Sequence, residues 1–335
     1  MANLNIVGNG FDLYHGLPTS YYYFACYLLS VDEQLYDDLA EMYGFRKGIR
    51  HYFTEEIERA IDDIGYWSEF ETNLGRLSSQ WVEGSLIDDL LLENPDAVDL
   101  EVERPNCANK IKEMLKCWVE TKIDTPKNYG IIKKMIGKNK VELSKQDAFV
   151  SFNYTHTLEE IYGLCDVLFI HGEANKSMVD DLIIGHRNDA MIKELDRKIS
   201  KLNMNNYDQP SRNRKVEYQF EKDVLKELRK PVDKCKEKLC AFISGRDQPD
   251  NIYVYGFSLG DVDMPYLQII FEKWPECKWH FSYHAESDRL SIERAAKTLG
   301  LAVSQYDTFE FNNPYSRYIE STLLRENKIE VFPRL

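Results

Sequence analysis

Two hydrophobic rhythms alternate along the chain. Leu4-Asn5-Ile6-Val7 is a short apolar run that stops at Gly8-Asn9-Gly10, the pattern of a strand delivering a tight turn. Pro18 and Thr19 then open a helix that runs to Val31. From there to about Asn139 apolar residues recur at intervals of three and four, as in Leu35, Leu39, Met42 and in Trp67, Phe70, Leu74, Leu77. The Asp-, Glu-, Asn- and Pro-rich segment from Glu93 to Asn106 reads as a loop. Strand-like runs return at Ala148–Phe152 and Val167–Ile170 with a helical stretch, Leu158 to Cys165, between them. Leu182-Ile183-Ile184 reads as a further short strand. Residues 193–245 form a charge-rich helical section whose stripe is Val216, Phe220, Val224, Leu228 and Val232, with Pro231 starting its second helix. Ile252–Tyr255 and Trp279–Tyr283 are strands, and Met264–Trp274 and Ser287–Leu299 are helices.

Strand–helix–strand alternation at both ends predicts an α/β chain: a Rossmann-like parallel sheet covered on both faces, with large helical insertions. Residues 1–31, 141–187 and 247–335 form the expected nucleotide-binding domain. Residues 32–140 are a helical insertion and residues 188–246 a charged helical arm. In such a sheet ligands sit at the carboxyl ends of the strands.

Composition narrows the function classes. At 335 residues, 43% hydrophobic and 29% charged, this is an ordinary globular chain. Its 42 basic and 56 acidic residues give a net charge of −14, which disfavours bulk nucleic-acid binding. The section from Lys193 to Lys238 departs from that balance, with 14 basic and 9 acidic residues. Seven scattered cysteines without a CxxC pair indicate neither a disulfide framework nor a zinc ribbon, so a reduced, cytoplasmic protein is expected. Leu13 to Val31 lacks charge for 19 residues, but His15, Gly16 and Pro18 break it. What remains is too short to span a bilayer, and no leader or membrane segment is expected.

Four strand-end loops hold the candidate chemistry. Gly8-Asn9-Gly10-Phe11-Asp12 places two glycines where backbone amides approach a pyrophosphate, although Leu13 stands where a third fingerprint glycine belongs. A glycine turn without a ligand fits the same residues. In Phe152-Asn153-Tyr154-Thr155-His156-Thr157, Asn153 suits a ribose hydroxyl or an ordered water, and equally a helix cap. His171 in Ile170-His171-Gly172-Glu173 can serve as a base or as a hydrogen-bonded structural histidine, and His186 is a weaker echo. Gly256-Phe257-Ser258-Leu259-Gly260 fits the GxSxG nucleophile elbow. The only histidines that follow, His280 and His284, lie at one predicted strand. The other reading of this loop is a nucleotide held by Ser258 and Asp263, with Asp263 capping the next helix.

Together GNGFDLYHGLPTSY, WSEFETNL, SFNYTHTLEEIY, IHGE, IIGH and YVYGFSLGDVDMPYL closely resemble the bacteriophage abortive-infection AbiH family, from Asn5 to about Leu267. That resemblance implies a role in bacterial defence against phage. The chain is also distantly similar to sirtuins and to sirtuin-like anti-phage domains, through Gly8-Asn9-Gly10, Gly16-Leu17-Pro18, Asn153-Tyr154-Thr155 and His171-Gly172. This similarity implies a sirtuin-like fold and NAD as substrate. Gly8, Asn9, Gly10, Phe11, Pro18, Thr155, Gly256, Ser258 and Asp263 would bind the dinucleotide. Asn153 would orient the nicotinamide ribose or a water, His171 would act as base, and Asp12 would stabilise the oxocarbenium-like centre. Thr155 stands where sirtuins carry Asp, and their zinc ribbon is missing, which argues against deacylation. No metal is expected. A homo-oligomer through the helical insertions and a phage-derived trigger are the expected partners. Two further functions remain open: a non-catalytic nucleotide sensor, and a metal-dependent nuclease or phosphodiesterase using Asp12, His171 and Asp263.

Overall fold

The computed structural model describes residues 2–43, 70–77, 107–205, 209–260 and 262–329. Its strands are β1 Leu4–Val7, β2 Ala148–Ser151, β3 Val167–Phe169, β4 Asn251–Tyr255, β5 Lys278–Tyr283 and β6 Tyr306–Glu310. They form one sheet in the order β3-β2-β1-β4-β5-β6, with every pairing parallel. The helices are α1 Asn9–Tyr14, α2 Tyr21–Val31, α3 Glu33–Tyr43, α4 Phe70–Asn73, α5 Cys107–Trp118, α6 Pro126–Met135 and α7 Thr157–Tyr162. After them come α8 Asp189–Asn205, α9 Gln209–Glu227, α10 Val232–Ser244, α11 Met264–Lys273, α12 Glu286–Leu299 and α13 Ser316–Glu326.

The chain divides into two compact units, one of Met1–Phe24, Met114–Ile183 and Pro231–Val331, the other mainly of Ala25–Glu113 and Ile184–Lys230. The first contains the sheet, whose period-2 alternation explains its two-sided core. Leu4, Ile6, Val150, Ile252, Val254, Trp279 and Phe281 face one cluster, filled by Leu239 and Ile243 of α10, Leu267 and Ile270 of α11 and Ile292 of α12. The intervening residues Val7, Phe149 and Tyr255 turn to the other face, against Phe11 of α1 and Leu158 of α7. A parallel sheet sealed on both sides by helices is the Rossmann-like α/β arrangement. Its strand order reverses direction between β1 and β4, which opens a crevice at their carboxyl ends.

In the second unit Ile192, Leu195 and Leu225 form a small core where α8 meets α9. Lys230 is buried there and pairs with Glu71 of α4 at 2.7 Å. The stripe is buried at Phe220 and Val224 of α9 and at Leu228 just beyond its end, while Val216 is exposed.

Some elements differ from the sequence expectation. Leu182–Ile184 is no strand: Ile183 enters the core and gives its N–H to the His171 carbonyl, but no strand partner runs beside it. Conversely, the sequence pattern predicts neither β6 nor α13; β6 is an edge strand whose side chains are all at least partly exposed, so no continuous apolar run marks it. Asp263 stands at the N-cap of α11 without a capping hydrogen bond. Trp67 and the loop from Glu93 to Asn106 lie outside the described residues.

Candidate functional site

The loops after β1 and β4 meet backbone to backbone. Gly8 N–H donates to the Tyr255 carbonyl at 3.0 Å, and Gly10 N–H to the Gly256 carbonyl at 2.8 Å. A Cβ on Gly10 would lie 2.6 Å from Gly256 Cα, and one on Gly256, whose φ is +55°, would lie 2.3 Å from the Gly10 carbonyl carbon. These glycines therefore have a packing reason for their missing side chains. Phe11 is wholly buried, 4.7 Å from the His15 ring and stacked on Phe311 at 6.2 Å, so its side chain belongs to the core. Asn9 and Ser258 are exposed, while Pro18 is buried. Gly16, beside it, packs against Ile319 of α13. Leu259, a residue without glycine's freedom, adopts φ 54° in the β4 loop.

The β2 loop is tied to β1 by polar side chains. Asn153 Nδ2 donates to the Gly8 carbonyl at 2.9 Å, and its own N–H is held by Ser151 Oγ at 3.2 Å. Thr155 and Thr157 each donate a hydroxyl to one oxygen of Asp12, both at 2.6 Å. Burial pushes the Asp12 carboxyl up to about 7, against the opposing pull of these two hydrogen bonds. Thr155 is thus engaged with the protein's own carboxylate.

His171 is buried in a box of rings. The ring of Phe152 lies 5.4 Å away, Tyr154 6.3 Å and Tyr266 6.5 Å. Phe152 also meets Phe257 at 4.6 Å, which brings the His171 strand end up to the β4 loop. His186, in the second unit, accepts the Asn188 N–H on Nδ1, so Nε2 carries the hydrogen donated to the Leu225 carbonyl at 2.8 Å. It is a structural histidine, and burial lowers its pKa. Nor does the β4 loop build a nucleophile elbow with His280. That side chain faces Asp307 and Asn251, and Asn251 begins β4 at the amino edge of the sheet, away from Ser258.

A second polar group was not singled out from the sequence. His156 lies between the two threonines that hold Asp12, and its Nδ1 meets Asp124 Oδ2 at 2.6 Å while Nε2 meets Glu173 Oε2 at 3.0 Å. Asp124 is delivered by a π-helical turn, Val119–Ile123, that continues α5; such turns often mark functional sites. It also accepts the His156 N–H at 2.9 Å, the Tyr129 hydroxyl and the Asn175 amide. Burial alone would lower the His156 pKa, but the hydrogen bond and charge of Asp124 carry it above its ordinary value. Burial raises Glu159, and for Glu173 the bonds to Lys176 and His156 outweigh burial and lower it. His156 and Glu173 sat inside loops already marked as candidates; Asp124 carries no local motif, and only the fold brings it near.

Strand order and loops define the class: a Rossmann-like α/β protein with four chemically loaded loops gathered on the carboxyl edge of one sheet. The chain belongs to the bacteriophage abortive infection AbiH family, whose model matches residues 4–283. That membership gives it a role in phage abortive infection. No curated protein and no solved structure matches the chain. Among the described residues no helix is long and apolar enough to cross a membrane.

Proposed function

We propose that this abortive-infection protein binds an adenine dinucleotide, NAD, at the carboxyl edge of the sheet and hydrolyses its N-glycosidic bond during phage infection. The observation that carries this reading is the convergence of the loops. Asn153 bonds Gly8, Gly10 bonds Gly256, and Phe152 touches both His171 and Phe257. All of these lie where a 3-2-1-4-5-6 sheet takes a dinucleotide. The order of the motifs, similar to that of sirtuins, supports NAD within that class.

The exposed Asn9 and Ser258 flank the switch point and would receive the pyrophosphate and ribose. Asn153 spends one amide hydrogen on Gly8 and keeps its Oδ1 for a water or a ribose hydroxyl. That water attacks C1′ of the nicotinamide ribose, its proton passes to His171, and nicotinamide leaves with the electrons of the C–N bond. The products are ADP-ribose, nicotinamide and a proton. Asp12, with both oxygens engaged by Thr155 and Thr157, acts by bracing the loop that carries Asn153.

Incubating the pure protein with NAD and assaying nicotinamide by chromatography tests the reading. A base of this kind contributes ~10²–10⁴-fold, so His171→Ala loses that much, and Asn153→Ala loses a comparable factor. NAD that binds without being cleaved would leave a nucleotide sensor. Nicotinamide release unchanged in both variants would remove these residues from the chemistry.

A further inference from the structure

We propose that His156, Glu159 and Glu173 form a binding site for one divalent transition-metal ion. Their ligand atoms all lie within 4.8 Å of one another. His156 precedes α7, Glu159 stands in the first turn of that helix, and Glu173 comes from the loop after β3, so two strand-end loops close on one point.

Three further features turn this cluster toward a cation. His156 is buried, and its Nδ1–H faces the carboxylate of Asp124, while its Nε2 is directed at the Glu173 carboxylate, where a metal ion would take the place of the hydrogen that now bridges the two. Asp124 cannot itself be a ligand: one oxygen takes the His156 N–H and the Tyr129 hydroxyl, the other the His156 ring and the Asn175 amide. A carboxylate that orients a histidine in this way is the usual outer partner of a metal-bound imidazole. Secondly, Glu159 Oε2 is shut off from solvent and accepts no hydrogen bond, a costly state for a carboxylate oxygen and one that a cation would relieve.

Thirdly, positive charge already settles here. Lys176 Nζ lies 2.7 Å from Glu173 and 3.8 Å from Glu159, on a side chain that is 61% exposed and free to swing out when an ion arrives. One imidazole nitrogen and two carboxylate oxygens suit zinc or manganese better than calcium or magnesium, which favour all-oxygen sets. This site departs from the sequence expectation that no metal is held. It does not depend on NAD cleavage, and its test reads binding alone.

The experiment is a calorimetric titration of Zn²⁺ into chelator-treated full-length protein, with Mn²⁺ followed in parallel by electron paramagnetic resonance. Wild type takes up one equivalent. Glu173→Gln and Glu159→Gln each weaken binding at least ~10-fold, and Asp124→Asn weakens it by ~10–100-fold. Lys176→Ala binds as tightly as wild type or tighter, because a competing cation is gone. Glu173 is partly exposed, so its variant keeps the test meaningful if Asp124→Asn fails to fold, with circular dichroism as the check. The proposal is overturned if wild type shows no saturable uptake. It is equally overturned if uptake survives unchanged in both glutamine variants, since the ion would then sit elsewhere, or if Lys176→Ala abolishes binding.

Discussion

Two stretches of the same sheet edge solve the same geometric problem with opposite materials. Between β1 and β4 the loops approach by having no side chains: Gly8, Gly10 and Gly256 let backbone touch backbone. Between β1, β2 and β3 the loops are joined by buried polar side chains, Asn153 to Gly8, Thr155 and Thr157 to Asp12, and His156 to Asp124. The glycine junction is sterically determined and offers little titratable chemistry. The polar junction holds several ionisable groups at close quarters, the arrangement that shifts pKa values and builds active sites. The fingerprint most visible in the sequence thus supports the frame, and the buried ionisable groups lie one strand over.

The largest expected effect tests the steric half of that contrast. In Gly256→Ala the new Cβ would lie 2.3 Å from both the Gly10 carbonyl carbon and the Phe11 nitrogen, at a φ of +55°. Backbone cannot step aside as a side-chain tip can, so urea denaturation should report a loss of roughly 3 kcal/mol or more, or no folded protein. Gly260→Ala is the control within the same loop, because its nearest neighbour is Ser258 Oγ at 3.7 Å. It should stay within about 0.5 kcal/mol of wild type. Equal stability of the two variants would dismiss the close-approach account.

Much of the frame could be read in advance, for a physical reason. Strands β1, β2, β4 and β5 are central or nearly so, and buried parallel strands appear as short apolar runs. The edge strand β6 reads Tyr-Asp-Thr-Phe-Glu, with neither an apolar run nor a clean alternation to mark it. Leu182-Ile183-Ile184 had the run without a neighbouring strand to pair with, which periodicity cannot reveal. Within the site, Asp12, Asn153 and Thr155 are at strand ends where loop motifs point. The Asp124–His156 bond spans 32 residues and depends on where a π-helical turn ends. No local pattern encodes such a meeting.

The polar half of the contrast predicts an effect that depends on pH. Asp12 has an ordinary value of 3.8 and is raised to about 7 in the folded chain by burial. Between those values the folded chain keeps a proton that the unfolded chain has released. Its contribution is fully present below about pH 4, falls as pH rises, and is gone above pH 7, a change on the order of 4 kcal/mol. Asp12→Asn removes the ionisation while keeping an oxygen and a donor for the threonines. The stability of the variant relative to wild type should therefore climb from pH 5 to pH 8 in urea titrations. His15 works in the opposite direction, since burial lowers it to about 4 and its contribution is lost on acidification from about pH 6.5. The difference between variant and wild type cancels that part. Parallel stability curves for the two proteins would mean that Asp12 does not hold a buried proton in the folded chain.

A smaller change follows from cutting one tie between β2 and β1. Asn153→Ala removes one of the two donors to the buried Gly8 carbonyl and leaves the Phe11 N–H on it at 2.9 Å, a loss of about 1–1.5 kcal/mol in the same measurement. If the structural cost were nearer zero, the ties of the loop to Asp12 and Asp124 would hold it without this bond.

The smallest effect is expected at the opposite edge of the sheet, at a polar contact that looks equally good but stands in water. Arg246 grips Asp166, the residue just before β3, with two bonds of 2.6 and 2.7 Å, and its guanidinium lies 4.0 Å from the centre of the Phe242 ring. Both partners of the ion pair are substantially exposed, 31% for the arginine and 46% for the aspartate, so solvent screens the charges and neither is stranded when the other goes. Arg246→Ala should cost no more than about 1 kcal/mol, mostly through the ring contact. Burial, rather than bond length or bond number, is then what separates the Asn153 tie from the Arg246–Asp166 pair. A loss at Arg246 as large as that at Asn153 would remove that distinction.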